Sequence, residues 1–152
     1  MKNIIILFMC NSLFVSCQSN FDKTEWKKHN KIESFENSRY LMIEDLVSNY
    51  LKTGLNKKEV INLLGIPYKD TVSFYLPKNI KLPDSLKIDY DNIKNINDNK
   101  KKINEISLWY KKKQLKAPML IYPLGWKTMD PIFLYIRLSK EGIVIDFWVK
   151  QG

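Results

Sequence analysis

The chain has 152 residues, which is enough for one domain of ordinary size with a short leader or tail. It carries 25 Lys and Arg against 16 Asp and Glu, a net charge of +9, and Arg39 and Arg137 are its only arginines. Sites that read phosphates or base edges favour the bidentate guanidinium of arginine. A charge made almost entirely of lysine therefore argues against a nucleic-acid reader and is typical of a solvated surface.

The first sixteen residues have the three parts of a secretory signal peptide. Lys2 gives a positive start, IIILFMCNSLFV forms the apolar centre, and Ser16 is the small residue before Cys17. The apolar run is shorter than the roughly 20 residues of a transmembrane helix. The boundary FVSC resembles the lipobox of bacterial lipoproteins, in which the cysteine is acylated and becomes the new N-terminus. We predict a signal peptide over 1–16 and lipid attachment at Cys17; the alternative is an uncleaved anchor in which Cys17 has no role.

Residues 17–37 are polar and mixed in charge, and we predict that they form a lipidated tether. Trp26 and Phe35 are isolated aromatic residues in it, which dock either onto the domain or onto a partner. Docking onto the domain is the favoured interpretation. His29 is the only histidine, and one histidine without a placed Cys, carboxylate or second His supports neither a metal site nor a catalytic triad.

The first ordered element is predicted as a helix over about 38–52, ended by Gly54. Apolar residues recur there at helical spacing and would form one face. They are Ile43, Leu46, Val47, Tyr50 and Leu51.

The segment GLNKKEVINLLGIP predicts a second helix with signals at both ends. Asn56 is placed to cap the N–H of Glu59, and the Glu59 carboxylate to bond back, as in a capping box. Gly65 is placed to take a left-handed conformation at the helix end, and Pro67 prevents continuation. The residues expected in the core are Val60, Leu63 and Leu64.

Strand patterns follow Pro67. The runs TVSFYL at 71–76, EISLWY at 105–110 and PMLIYPL at 118–124 are each predicted as strands. Near the C-terminus, IFLYIRL and IVIDFWV alternate strictly, and SKEG between them is typical of a four-residue hairpin turn. Their predicted apolar faces comprise Ile132, Leu134, Ile136 and Leu138 in the first strand and Ile143, Ile145, Phe147 and Val149 in the second.

These elements predict an α+β fold. Two N-terminal helices are expected to pack on one face of a four- or five-stranded antiparallel sheet, in a single domain over 38–152.

The order of these features resembles a family of known lipoproteins, the small outer-membrane proteins of the SmpA/OmlA (BamE-like) type. Their fold is shared with the β-lactamase-inhibitor-protein repeat. The resemblance covers about residues 38–76 and 119–150, and it implies a non-catalytic role in envelope assembly. The implied partners are the bilayer, through acylated Cys17, and an envelope protein. The features that carry the resemblance are Cys17, a linker with Trp26, a helix with Arg39, Met42 and Asp45, GLNKKEVINLLGIP, and a meander ending LYIRLSKEGIVIDFWV.

Residues 77–117 depart from this pattern as a lysine-rich insertion. Residues 77–116 hold eleven lysines and five acids, so most of the net charge is local. NDNKKKIN is predicted as a mobile loop, and the lysine triplets that bracket INEISLWY are typical of a strand protected from edge pairing. Lys100, Lys101 and Lys102 either are solvated charges that prevent edge pairing of the strand, or form a patch that binds anionic lipid head groups or cell-wall polymer.

No catalytic or cofactor-binding pattern accompanies these elements. The sequence has no Gly-rich phosphate loop, and Asp89 and Asp91 lack the Gly and the closing Glu of a calcium loop. We therefore expect neither an enzyme nor a cofactor, and the export signal argues against a nucleic-acid partner.

Two functions remain open from the sequence. The first is a membrane-anchored interaction module in envelope assembly or integrity, and the second is an inhibitor or binder of a periplasmic or extracellular enzyme. Trp126, in PLGWKTMDP, is predicted as a loop tryptophan that either anchors a partner or folds back onto the core.

Overall fold

The computed structural model describes residues 20–29, 38–88 and 96–152, so Cys17, the leader and Phe35 lie outside the described residues. The helices are α1 (Lys23–Lys28), α2 (Ser38–Asp45), α3 (Lys57–Leu64) and α4 (Ile96–Lys113), with a π-helical turn (Leu46–Tyr50) after α2 and a 3-10 turn (Asp84–Leu86). The strands are β1 (Lys69–Tyr75), β2 (Leu115–Lys127), β3 (Asp130–Leu138) and β4 (Val144–Gln151).

The four strands form one antiparallel sheet in the order β1-β2-β3-β4. The α+β class is confirmed, with four strands in the described sheet. The SKEG turn between β3 and β4 is also confirmed: the Gly142 N–H donates to the Ser139 carbonyl at 3.1 Å, and Gly142 has a φ of 80°. Such a φ favours glycine because it has no Cβ.

Residues of α1, α2, the π-helical turn and α3 share one hydrophobic core with the sheet. The prediction of an apolar face on β3 is confirmed, because Ile132, Leu134, Ile136 and Leu138 are all buried. Val60 and Leu64 are buried as predicted, and Leu63 packs against the same core while partly exposed. Other members of this core are Met42, Leu46, Leu51, Leu120, Tyr122, Leu124 and Val144.

The ends of α3 are those that its sequence predicts. The Glu59 N–H donates to Asn56 Oδ1 at 3.0 Å, and the Asn56 N–H donates to Glu59 Oε2 at 2.7 Å, which completes the capping box. Gly65 has a φ of 80°, as predicted, although its ψ of −169° lies outside the left-handed helical region. Local hydrogen bonding thus defines this helix at both ends.

Part of the predicted tether belongs to the folded core. Phe21 and Trp26 are buried, and the Asp22 side chain caps α1 by accepting from the N–H groups of Thr24 and Glu25. The prediction that Trp26 docks onto its own domain is confirmed. The folded part of the chain therefore begins before Ser38, where the sequence places its start.

The first long helix is shorter than predicted. The α-helix ends at Asp45, and the π-helical turn after it contains the bond from the Leu51 N–H to the Leu46 carbonyl at 2.8 Å. This wider turn shifts the phase of the side chains, so Leu46 and Leu51 are buried while Tyr50 is 47% exposed.

The prediction of a strand at 105–110 is wrong, and so is that of a loop at NDNKKKIN, residues 97–104. Both segments lie in α4. Ile103, Ile106 and Tyr110 recur at spacings of three and four, which also fits a helix, and α4 contains neither Gly nor Pro. The lysine triplets consequently do not guard a strand.

The predicted apolar face of the last strand is partly wrong. The register shifts between Arg137 and Leu138, which pair with Asp146 and Val144, so Ile145 is an extra residue in β4. Val144 is therefore buried, whereas Ile145 is 45% exposed. A single bulge thus moves the alternation by one residue.

Candidate functional site

The strands present two faces, and the side chains alternate between them. The core face carries Leu120, Leu134 and Ile136. The opposite face, here called the second face, is defined by the pairs Met119 with Arg137, Ile121 with Tyr135, and Tyr135 with Trp148. Met119 is 1% and Ile121 is 7% exposed, so this face is also partly covered.

A row of aromatic rings crosses the second face. Tyr68 and Phe133 are stacked with centroids 6.2 Å apart, and Phe133 meets Tyr135 edge-on at 6.2 Å. Tyr135 and Trp148 are parallel, at 3° and 5.6 Å. Burial raises the pKa of Tyr135 above its ordinary range. Phe133, Tyr135 and Trp148 keep part of their surface exposed, so the row is an accessible aromatic surface.

Residues 75–79, here called the strap, cross this face from β1 toward β4. Arg137 Nη1 donates to the Tyr75 hydroxyl at 2.6 Å, and the guanidinium carbon lies 4.5 Å from the Tyr75 ring centroid. Lys78 Nζ lies 2.7 Å from Asp146 Oδ1, which also accepts from the Phe147 N–H at 2.9 Å. These contacts place an end of the lysine-rich insertion on the sheet.

Two adjacent cavities lie beside the strap and together form what we call the cleft. One, of about 520 Å³, lies between the strap and Arg137, Asp146 and Trp148. The other, of about 570 Å³, lies between Trp148, Tyr135 and Lys150 on one side and Tyr110 of α4 on the other. Gln114, which follows α4, also lines it. Both are lined by Tyr75, Leu76 and Trp148, and their volumes suit a side chain or a small organic group.

The charges of the cleft are unequal. Arg137, Lys78 and Lys150 line it together with one carboxylate, that of Asp146. Arg137 Nη2 lies 3.9 Å from Asp146 Oδ2, which is too long for a hydrogen bond. The guanidinium is therefore held by the Tyr75 ring and hydroxyl and by this longer ion pair. Because positive groups outnumber the one carboxylate, the cleft suits an apolar or aromatic group next to a carboxylate.

The predicted site residues lie elsewhere. Lys100, Lys101 and Lys102 are in the first half of α4; the first two are exposed, and Lys102 Nζ donates to the Ser85 carbonyl. Trp126 is not in a loop: it is half-buried near the end of β2 and pairs with Pro131. Neither Trp126 nor the lysine triplet lines the cleft.

The cleft residues were not singled out from the sequence. Alternation in β3 places Tyr135 and Arg137 on the face opposite the aliphatic residues. Aromatic and arginine side chains on a face away from the core are typical of an interface, and this is the signal that the sequence contains. Tyr75, Lys78 and Gln114 carry no comparable signal, because Tyr75 ends β1 and the other two lie near the ends of the insertion, all far in sequence from Arg137.

Within residues 20–29, 38–88 and 96–152, no three potential His, Cys, Asp or Glu metal ligands cluster. The helices of this described part are all too short or too polar to cross a membrane.

Comparison of the chain with family models, curated proteins and solved structures gives no match. Membership of the SmpA/OmlA type therefore stays a prediction.

Proposed function

We propose that the protein is a lipoprotein of the outer membrane, anchored through acylated Cys17, whose domain binds an envelope protein and supports assembly or integrity without catalysis. The observation that carries the binding role is the partly exposed aromatic row of the second face, with the cleft beside it. Tyrosine, tryptophan and arginine are the residues most enriched at the energetic centres of protein interfaces.

We take the N-terminal helices α2 and α3 to pack on the core face, as the order of the elements in the sequence predicts. The core shared by Met42, Leu46 and Val60 with Leu120 and Leu134 supports this arrangement. A domain covered by helices on its core face keeps the uncovered part of its second face, the aromatic row and the cleft, for a partner.

The anchor is supported by the sequence of the leader. Lys2, the apolar run and the small residue before Cys17 form a signal peptide ending at a lipobox-like boundary. Acylation by two or more chains makes membrane attachment stable, whereas one chain is marginal.

An enzyme inhibitor is the alternative that the sequence leaves open. It depended on an exposed aromatic loop around Trp126. Because Trp126 is half-buried within β2, we keep the interaction module as the proposal.

Site-specific photocrosslinking in cells tests the proposed surface. A photoreactive amino acid replaces Leu76 in the cleft, and the matched control replaces Leu108, which is 67% exposed on α4. We expect a discrete protein adduct from position 76 and none of the same mass from position 108. Identical adducts from both positions, or none from position 76, contradict the proposal.

A further inference from the structure

Phe21 is fixed firmly to the rest of the domain. Its side chain is 9% exposed, and its N–H donates to Asp45 Oδ2 at 2.7 Å. Its ring lies 5.7 Å from that of Trp26 and 5.0 Å from that of Tyr50. The next N–H, of Asp22, lies 3.4 Å from Met42 Sδ.

Only residues 18–20 separate Phe21 from Cys17. An extended chain spans at most about 3.6 Å per residue, so the two Cα atoms lie within about 14 Å of each other. A lipid on Cys17 therefore cannot hold the domain at a distance. The long tether that the sequence predicts over 17–37 is therefore replaced by a linker of three residues, 18–20.

Two exposed side chains lie near Phe21, where this linker joins the folded domain. Leu41 is 54% exposed and precedes Asp45, the Phe21 partner, by one helical turn. Tyr50, 47% exposed, packs its ring against Phe21. A leucine and a tyrosine exposed near Phe21 suit the membrane interface, where amphipathic aromatic residues are enriched.

Asn49 is exposed, and its side chain donates to Asp45 Oδ1. We infer that the surface formed by Leu41, Asn49 and Tyr50, here called the docking surface, rests on the lipid bilayer when Cys17 is acylated. This inference rests on the proposed function, because it requires the anchor. A domain of this size has a radius of gyration of only about 15 Å, so every part of it stays close to a bilayer on which it rests. The protein that binds the cleft must therefore lie at the same membrane.

Depth-dependent fluorescence quenching tests the inference. Acylated protein is reconstituted in phosphatidylethanolamine and phosphatidylglycerol vesicles that carry nitroxide-labelled lipid. Cys10 and Cys17 are the only cysteines, so after cleavage and acylation an introduced cysteine is the single reactive thiol. One label goes on Asn49→Cys, which leaves Leu41 and Tyr50 intact. The control label goes on Lys112→Cys, exposed on α4, whose last residues adjoin the second face.

We expect the label at position 49 to be quenched at least about twofold more than that at position 112, since interfacial groups lie at the boundary of head groups and acyl chains. Adding Leu41→Glu should lower the quenching at position 49. Equal quenching at the two positions, or no effect of Leu41→Glu, overturns the inference.

Intact mass of the reconstituted protein separates the two proposals. An unmodified Cys17 overturns the anchor and this inference with it. An acylated Cys17 with equal quenching overturns the inference alone.

Discussion

The guanidinium of Arg39 lies 4.9 Å from the centroid of the Trp26 ring, and its Nε donates to the Trp26 carbonyl at 2.7 Å. Arg39 Nη1 donates to the Pro123 carbonyl at 3.1 Å. Burial lowers the pKa of Arg39 to about 10, although the charge interaction with Tyr122 opposes this shift. A buried arginine thus joins α1, α2 and β2.

Trp26→Ala should lower the free energy of unfolding by about 3–5 kcal/mol, through lost burial and a cavity. The change also removes the ring on which Arg39 stacks. Urea denaturation measures the loss. Lys28→Ala on the same helix is the control and should change stability by less than about 0.5 kcal/mol; equal effects of the two changes would show that α1 is not part of the core.

Leu64→Ala should cost about 2–5 kcal/mol, because Leu64 is fully buried. Gly65→Val should also destabilise, since a β-branched residue resists the φ of 80° at this helix end. Ile66→Ala is the matched control, because Ile66 is 74% exposed. Thermal unfolding in which the control loses as much as Leu64→Ala would contradict the described packing of α3.

Stability should fall at alkaline pH because of Tyr122. Burial raises the pKa of its hydroxyl, which donates to the Gly65 carbonyl at 3.0 Å, while the nearby Arg39 opposes the shift. The folded chain keeps this proton where the unfolded chain, with a tyrosine pKa of about 10, loses it. The stabilisation is therefore fully present below about pH 10 and is lost as the pH rises above that value.

Tyr122→Phe should show a smaller fall in stability between about pH 9 and 11 than the parent does. The pKa of Arg39 is lowered by burial in both proteins, so its opposite contribution is present in both curves. The exposed Tyr40 supplies the control, Tyr40→Phe, which should follow the parent. Parallel pH curves for the parent and Tyr122→Phe would refute the prediction.

Cys17→Ser should abolish acylation and move the protein from the membrane to the soluble fraction. Cell fractionation and the intact mass of the mature protein measure the change. A mature N-terminus other than residue 17, or a mutant that fractionates like the parent, would contradict the anchor.

Local signals predicted the fold best. The Asn56 and Glu59 capping box and the Gly65 stop involve residues close in sequence, so their geometry follows from the order of the residues. The strict alternation of β3 was equally reliable because both faces of that strand are regular.

The predictions of secondary structure were wrong where a segment fits both a strand and a helix pattern, or where one extra residue interrupts a regular element. Ile106, Leu108 and Tyr110 alternate like a strand, yet Ile103, Ile106 and Tyr110 also share one helical face. The π-helical turn and the Ile145 bulge each add a residue that no periodicity reveals. The cleft is nonlocal: Tyr75 and Arg137 meet across 62 positions of sequence, so no short motif contains it.

Binding by the second face can be measured with the protein that crosslinking at Leu76 identifies, once it is purified. Trp148→Ala should weaken its affinity by roughly 2 kcal/mol or more, about thirtyfold, the scale of an interface hot spot. Trp126→Ala and the reversal of Lys100, Lys101 and Lys102 to Glu should leave the affinity nearly unchanged. The melting temperature of each variant is recorded first, so that a loss of folding is not read as a loss of binding. Unchanged affinity in Trp148→Ala, with a large loss in Trp126→Ala or in the lysine reversal, would contradict the account and assign the partner to another surface.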